Sequence, residues 1–203
     1  MINTHTFIVV DTETTGLEPK LDHLIELAAV KVQNGKIVDT WDSLLNPGVF
    51  IPHDSTHITG ITTDMLQASP RFKDVMDDFL NFIGEQSVFV AHNLEFDWNF
   101  VNQHLRRNER GDLTNASLCT FKLAKKLFPE IPRFGLGALC KQFSIELPEA
   151  HRAVHDATAT AELLLKFLKT LEQKGVTKLS EIPGIQNVKA AGNPGSIQQG
   201  SLF

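Results

Sequence analysis

The chain of 203 residues lacks most of what would place it in several large protein classes. It carries only two cysteines, Cys119 and Cys140, each inside an apolar pattern ("SLCTFKLA", "LGALCKQF") and neither in a CxxC spacing. Both therefore read as buried, reduced thiols, with a disulfide or a zinc site the minor reading. No apolar run approaches the roughly 18 residues that cross a bilayer, and "MINTHTF" lacks the basic-then-apolar layout of a signal peptide. A cytoplasmic protein is the expectation. No internal repeat is visible, which argues against a solenoid. Basic charge is not in excess either: the formal net charge is -5, the opposite of the basic surface that usually meets phosphates. A nucleic-acid partner would therefore require local compensation.

What is present is an ordinary globular composition, 42% hydrophobic and 21% charged, enough for one core. The run Phe7 to Val10 reads as a buried strand that delivers Asp11 at its end. Two further β-type runs flank Asn34-Gly35, the pair best suited to a type I′ turn, and predict a hairpin. Phe72, Val75, Met76, Phe79, Leu80 and Ile83 follow helical spacing. "SVFVAHN" reads as a strand and "FDWNFVNQHLRR" as the helix behind it. "CTFKLAKKLF" and "GLGALCKQFSI" read as two short helices, and Val154 to Leu171 as a long one. An early hairpin followed by alternating strands and helices indicates an α/β fold with a mixed sheet. After Gly175 the pattern fades into Gly, Pro, Asn and Gln, so residues 1–175 are expected to form the domain and 176–203 a flexible tail.

Three acidic clusters fall where strands end or helices begin. In Asp11-Thr12-Glu13 the two carboxylates, two residues apart on a strand, share a face, and they repel unless a cation lies between them. Asp97 follows the strand "VFVAHN". In "HRAVHDATATAELL", His151 stands five residues before Asp156 near a helix start. Each cluster alone also has an ordinary reading: a solvated strand face, a first-turn acid favoured by the helix dipole, a surface imidazole.

In order and together, "VVDTETTGL", "AHNLEFD" and "HRAVHDA" resemble the motifs of the DEDDh 3′-to-5′ exonuclease superfamily. The resemblance runs from about Phe7 to Leu171 and includes "THITGIT" and "LGALCKQFSI". It is closest to the bacterial epsilon-type proofreading exonucleases of DNA polymerase III and their stand-alone relatives. It implies a ribonuclease H-like fold, a mixed five-stranded sheet flanked by helices. Residue by residue, it makes Asp11, Glu13, Asp97 and Asp156 metal ligands and His151 the general base. His155 competes for that role, and the H-x4-D pattern of the family selects His151.

The cofactor implied is a pair of Mg²⁺ or Mn²⁺ ions, which agrees with oxygen ligands and no thiolates. Two such ions offset four carboxylates, so the acidity counted without them overstates that of a working enzyme. The same resemblance points to Leu17 and Ile58 as holding the terminal nucleotide; Thr12 is assigned to the substrate as well, and Phe96, adjacent to Asp97, is a candidate to stack on a base, with a place in the core the alternative for each apolar residue and the favoured one for Phe96. Arg106, Arg107 and Arg110, or Lys122, Lys125, Lys126 and Arg133, supply basic patches or simply solvated helix faces.

The expected activity is release of nucleoside 5′-monophosphates from single-stranded DNA or DNA 3′ ends, in proofreading or repair. A DNA polymerase subunit is an implied partner. An RNA 3′ exonuclease and a non-catalytic scaffold are the alternatives. The last five residues, "QGSLF", resemble the pentapeptide by which bacterial replication proteins bind the sliding DNA clamp. Gln199, Ser201, Leu202 and Phe203 fit it, and Gly200 stands where leucine is common. A polar tail that ends on two hydrophobes suits a partner's pocket, or else a frayed terminus.

Overall fold

The computed structural model describes residues 2–187. Its sheet has five strands: β1 (Phe7–Thr14), β2 (Leu24–Gln33), β3 (Lys36–Leu44), β4 (Val88–Ala91) and β5 (Ala116–Cys119), in the order β3-β2-β1-β4-β5. β1 pairs antiparallel with β2, and β2 with β3. The pairs β1/β4 and β4/β5 are parallel. Asn34 and Gly35, with φ of 52° and 73°, make the β2/β3 turn; both lie in the left-handed region that a type I′ turn needs.

Seven α-helices accompany the sheet among the described residues: α1 (His53–Thr59), α2 (Thr63–Leu66), α3 (Phe72–Ile83), α4 (Leu94–Arg107), α5 (Thr120–Leu127), α6 (Leu136–Phe143) and α7 (Ala153–Gln173). Alternation along β1 divides the core in two. Phe7 and Val9 face a cluster with Leu164 and Phe167 of α7, whereas Ile8 and Val10 face Phe79 of α3 and Phe100 of α4. Each sheet face thus buries a helical apolar stripe, which makes the layered architecture stable. Cys119 and Cys140 are free and buried, as their apolar settings imply.

Three features depart from the reading of the sequence. The strand β5 is not apparent in "ASLC", because its four buried residues run straight into α5 at Thr120. The helices α1 and α2 are short and largely polar, with no apolar stripe to betray them. Residues 176–187, assigned by composition to the flexible tail, pack on the domain instead. Leu179 and Ile182 are buried there, and Gln186 exchanges two backbone hydrogen bonds with Ser117 of β5, at 2.9 and 3.0 Å. The segment covers a sheet edge that would otherwise present unpaired backbone groups. Gln199, Ser201, Leu202 and Phe203 lie outside the described residues.

Candidate active site

β1 is the point where the sheet changes sense, antiparallel to β2 on one side and parallel to β4 on the other. Ligands of open α/β sheets gather beyond the carboxyl ends of strands at such a switch. The register of β1 against β2 also slips between Glu13 and Thr14, an irregularity of the kind that re-aims side chains beside a site. Asp11 and Glu13 project to the α7 side of the sheet and Thr12 to the α4 side, as strand alternation requires. Asp97 comes from the first turn of α4, directly after β4, and Asp156 from the first turn of α7. Elements 145 residues apart in sequence thereby meet at one strand end.

They line a cleft of about 680 Å³ that holds Asp11, Glu13, Asp97, Asp156 and His151 together with Thr12, Leu17, Ile58 and Phe96. All nine positions expected to serve catalysis, metal or substrate within the domain line one cavity, whereas His155 and the basic residues of α4, α5 and the following loop do not. Leu17 and Ile58 are 78% and 56% exposed, apolar side chains left in solvent at the rim. Phe96 is half-buried and packs on Phe100, with ring centroids 4.8 Å apart, so one face of it belongs to the core. Thr12 is buried, and its hydroxyl donates to Oδ1 of Asp97 at 2.8 Å. Its side chain thus anchors a carboxylate.

The electrostatics follow from crowding. Burial, then the charges of Asp97, Asp156, Glu13 and Glu26, raises the Asp11 carboxyl well above its usual range. Burial and the neighbouring acids Asp156, Glu26 and Asp97 push Glu13 up to about 8. Burial lifts Asp97 to about 7 against the opposing hydrogen bond from Thr12. Asp156 is raised by burial too, while the bond from the His151 backbone resists the shift.

Carboxylates that resist ionisation side by side fit a divalent cation, whose charge reverses the balance. Ligand atoms of Glu13, His151 and Asp156 lie within 4.8 Å of one another, close enough to share one ion. The carboxylate oxygens among these groups, with neither thiol in the lining of the cleft, suit a hard ion such as Mg²⁺ or Mn²⁺.

His151 is exposed and opens into the cleft, with its backbone in the left-handed region at φ 67°. Its N–H donates to Oδ2 of Asp156 at 2.7 Å. His155 turns away, its Nδ1 3.3 Å from the carbonyl of Glu149 and 3.7 Å from that residue's carboxylate. Position thus favours His151 over its neighbour for chemistry in the cleft.

Other residues that build the site escaped the reading of the sequence. Glu26 of β2, 1% exposed, lies directly opposite Glu13 in the ladder and pairs with Arg152, the residue after His151. An acid inside the apolar run "LIELAAV" was the available signal. His92 lines the cleft between the hydroxyl of Thr120 at 3.0 Å and the carbonyl of Phe134 at 2.9 Å. Ser55 of α1 donates to the carbonyl of Thr14 at 2.7 Å and so holds the helix that carries Ile58 against the end of β1.

Residues 8–164 match the model of the RNase_T family, described as an exonuclease. The chain belongs to the RNase_T exonuclease family. Membership makes it an enzyme of the exonuclease class. Among its relatives, DNA polymerase III subunit epsilon of Aquifex aeolicus is 39% identical over 166 residues, 82% of each chain. DNA polymerase III PolC-type of Oceanobacillus iheyensis is 41% identical over 177 residues, 87% of this chain. The chain spans only 12% of that relative's length, and 14% of the PolC-type polymerase of Bacillus subtilis. Among solved structures, Exonuclease X in complex with 5′ overhanging duplex DNA matches with a TM-score of 0.69 at 27% identity, over 92% of this chain and 99% of that one. E. coli Exonuclease I in complex with a dA16 oligonucleotide matches at 0.74 and 22% identity, over 84% and 42%, a likeness of fold. This RNase_T exonuclease thus has the ribonuclease H-like sheet that its motifs imply, and no helix among its described residues is long and apolar enough to cross a membrane.

Proposed function

We propose that this exonuclease removes nucleoside 5′-monophosphates one at a time from DNA 3′ ends, in replication proofreading or in repair. The observation that carries the reading is the convergence of Asp11, Glu13, Asp97, Asp156 and His151 on one cleft rimmed by the exposed side chains of Leu17 and Ile58. Relatives named as polymerase III epsilon and PolC, and a neighbour at 27% identity held on duplex DNA, support DNA over RNA.

In this reading the four carboxylates hold two Mg²⁺ or Mn²⁺ ions. Such ions, when bound, supply Lewis acidity to water and to the scissile phosphate. The chain's own residues do the rest. Leu17 and Ile58 take the terminal base and sugar between apolar surfaces. Thr12 fixes the Asp97 carboxylate, and Asp156 fixes the backbone of His151. The His151 imidazole accepts the proton of the attacking water, a role suited to that side-chain type near neutral pH.

The carboxyl-terminal Gln199, Ser201, Leu202 and Phe203 attach the enzyme to the sliding clamp, with Leu202 and Phe203 as apolar anchors and Gln199 setting register. A polymerase subunit is a further partner, in the cytoplasmic setting of replication. Matched DNA and RNA oligomers, with paired or mispaired 3′ ends and Mg²⁺ or Mn²⁺, test the reading. Mononucleotides should be released faster from DNA, and fastest from a mispaired end; faster release from RNA would overturn the DNA assignment.

A further inference from the structure

The general base sits on a strained backbone that the protein must hold in place. His151 is a non-glycine residue at φ 67°, a strained conformation that persists only where its surroundings enforce it. Two restraints are on either side. One is the Asp156 carboxylate, which accepts the His151 N–H. The other lies one residue on. The Arg152 guanidinium donates to both oxygens of Glu26, at 2.9 Å to Oε1 from Nη2 and 3.2 Å to Oε2 from Nε. Oε2 also accepts the N–H of Ala153 at 2.9 Å, the first residue of α7. A carboxylate of the sheet, 127 residues away, thus satisfies an orphan donor at the start of the helix that carries Asp156.

Burial of Glu26 demands an explanation. It stands opposite Glu13 on the adjacent strand, where like charges oppose each other, in a place an apolar residue would fill at lower cost. We propose that Glu26 and Arg152 are positioning residues for hydrolysis: their ion pair fixes the His151-to-Asp156 segment on the end of the sheet and so aims the general base into the cleft. The inference rests on the exonuclease reading for its consequence and on the structure alone for the restraint.

The test compares Arg152→Met, Arg152→Lys and the double variant Glu26→Gln with Arg152→Met, each as the full chain. In Arg152→Met the buried Glu26 charge is left unpaired, so the Tm falls; in the double variant no charge remains and the Tm recovers. The kcat should fall roughly 10- to 100-fold in both, with the KM for an oligonucleotide within about twofold of the parent. Arg152→Lys, which keeps the charge and loses the fork, should lie between. By NMR, amide exchange at His151 should quicken at least about tenfold in both methionine variants, because local opening is then less costly.

A purely structural pair would give back kcat together with Tm in the double variant, and that result would overturn the proposal. Unchanged exchange at His151, or a wild-type kcat in Arg152→Met, would overturn it as well. If the parent protein hydrolyses no nucleic acid the function reading fails, and the exchange measurement still decides the restraint. Should Arg152→Met alone fail to fold, the double variant carries both readouts.

Discussion

The hydroxyl of Thr12 in β1 donates to the Asp97 carboxylate in α4 across 2.8 Å, so the first acidic motif holds the second in place. Thr12→Val keeps the shape and removes the donor, leaving a buried carboxylate short of one partner. A hydrogen bond to a charged group contributes about 1.5–3 kcal/mol, and a change beside a metal ligand weakens affinity about 10- to 100-fold. We expect the Mg²⁺ concentration for half-maximal activity to rise by such a factor in Thr12→Val and to stay near the parent in Thr12→Ser. A titration of rate against Mg²⁺ checks this, and equal curves for all three proteins would remove Thr12 from the site.

The acidic cluster fixes a pH dependence of stability. Folded, Glu13 titrates at about 8 and Asp97 at about 7, with Asp11 and Asp156 also raised; unfolded, all four return to about 4. Between those limits the native state binds more protons than the unfolded state, so stability falls as pH rises. The stabilisation is complete below about pH 4 for these groups and is lost as pH passes their folded values. In chelator the Tm should drop by roughly 5–10 °C from pH 5 to pH 8. Mg²⁺ or Mn²⁺ should raise the Tm at pH 8 far more than at pH 5. Calorimetry reads both, and a metal-free Tm that climbs over this range would reverse the electrostatic account.

Gly16 has no room for a side chain. A Cβ there would sit 2.5 Å from both carboxylate oxygens of Asp22, which accept from the Thr15 hydroxyl at 3.2 Å and the Glu18 N–H at 2.8 Å. Arg107 secures the same loop, donating to the carbonyls of Pro19, Lys20 and Asp22 at 3.1, 2.8 and 2.8 Å. The loop carries Leu17 at the rim of the cleft, so Gly16→Ala should raise the KM for an oligonucleotide about 3- to 10-fold with kcat largely kept, the signature of lost ground-state binding. Steady-state kinetics distinguish this from a fall in kcat alone, which would place the loop outside substrate binding.

Removal of residues 199–203 should leave oligonucleotide hydrolysis unchanged and abolish binding to the sliding clamp. Surface plasmon resonance on immobilised clamp measures the second effect. Equal affinity of the parent and truncated proteins would show that Leu202 and Phe203 are not anchors.

What was legible in the sequence was local. Asp11 and Glu13 share a strand, and His151 and Asp156 share a turn, so spacing alone exposes each pair; Asp97 follows an evident strand. The hairpin was legible because Asn34-Gly35 encodes its own turn. Glu26 and Arg152 were not, since a partnership across 126 residues exists only once β2 is in register with β1. The anchoring role of the Thr12 hydroxyl was not legible either, because nothing in "DTE" announces that it meets the Asp97 carboxylate. The stretch 176–187 was misread for a related reason: its Pro, Gly and Asn suggest a linker, while Leu179 and Ile182 are too few to advertise that they dock on a sheet edge.

The central claim is that Asp11, Glu13, Asp97, Asp156 and His151 form one hydrolytic centre acting from the 3′ end. Its most direct test is a 5′-labelled DNA oligomer incubated with Mg²⁺ or Mn²⁺ and with the parent protein, Asp11→Asn, Asp156→Asn or His151→Ala, each first shown to be folded. The account predicts a ladder that shortens one nucleotide at a time from the 3′ end with the parent and falls by at least about 10³-fold in rate with each variant. Undiminished shortening by the folded variants, or loss of the label as a mononucleotide from the 5′ end, would contradict it.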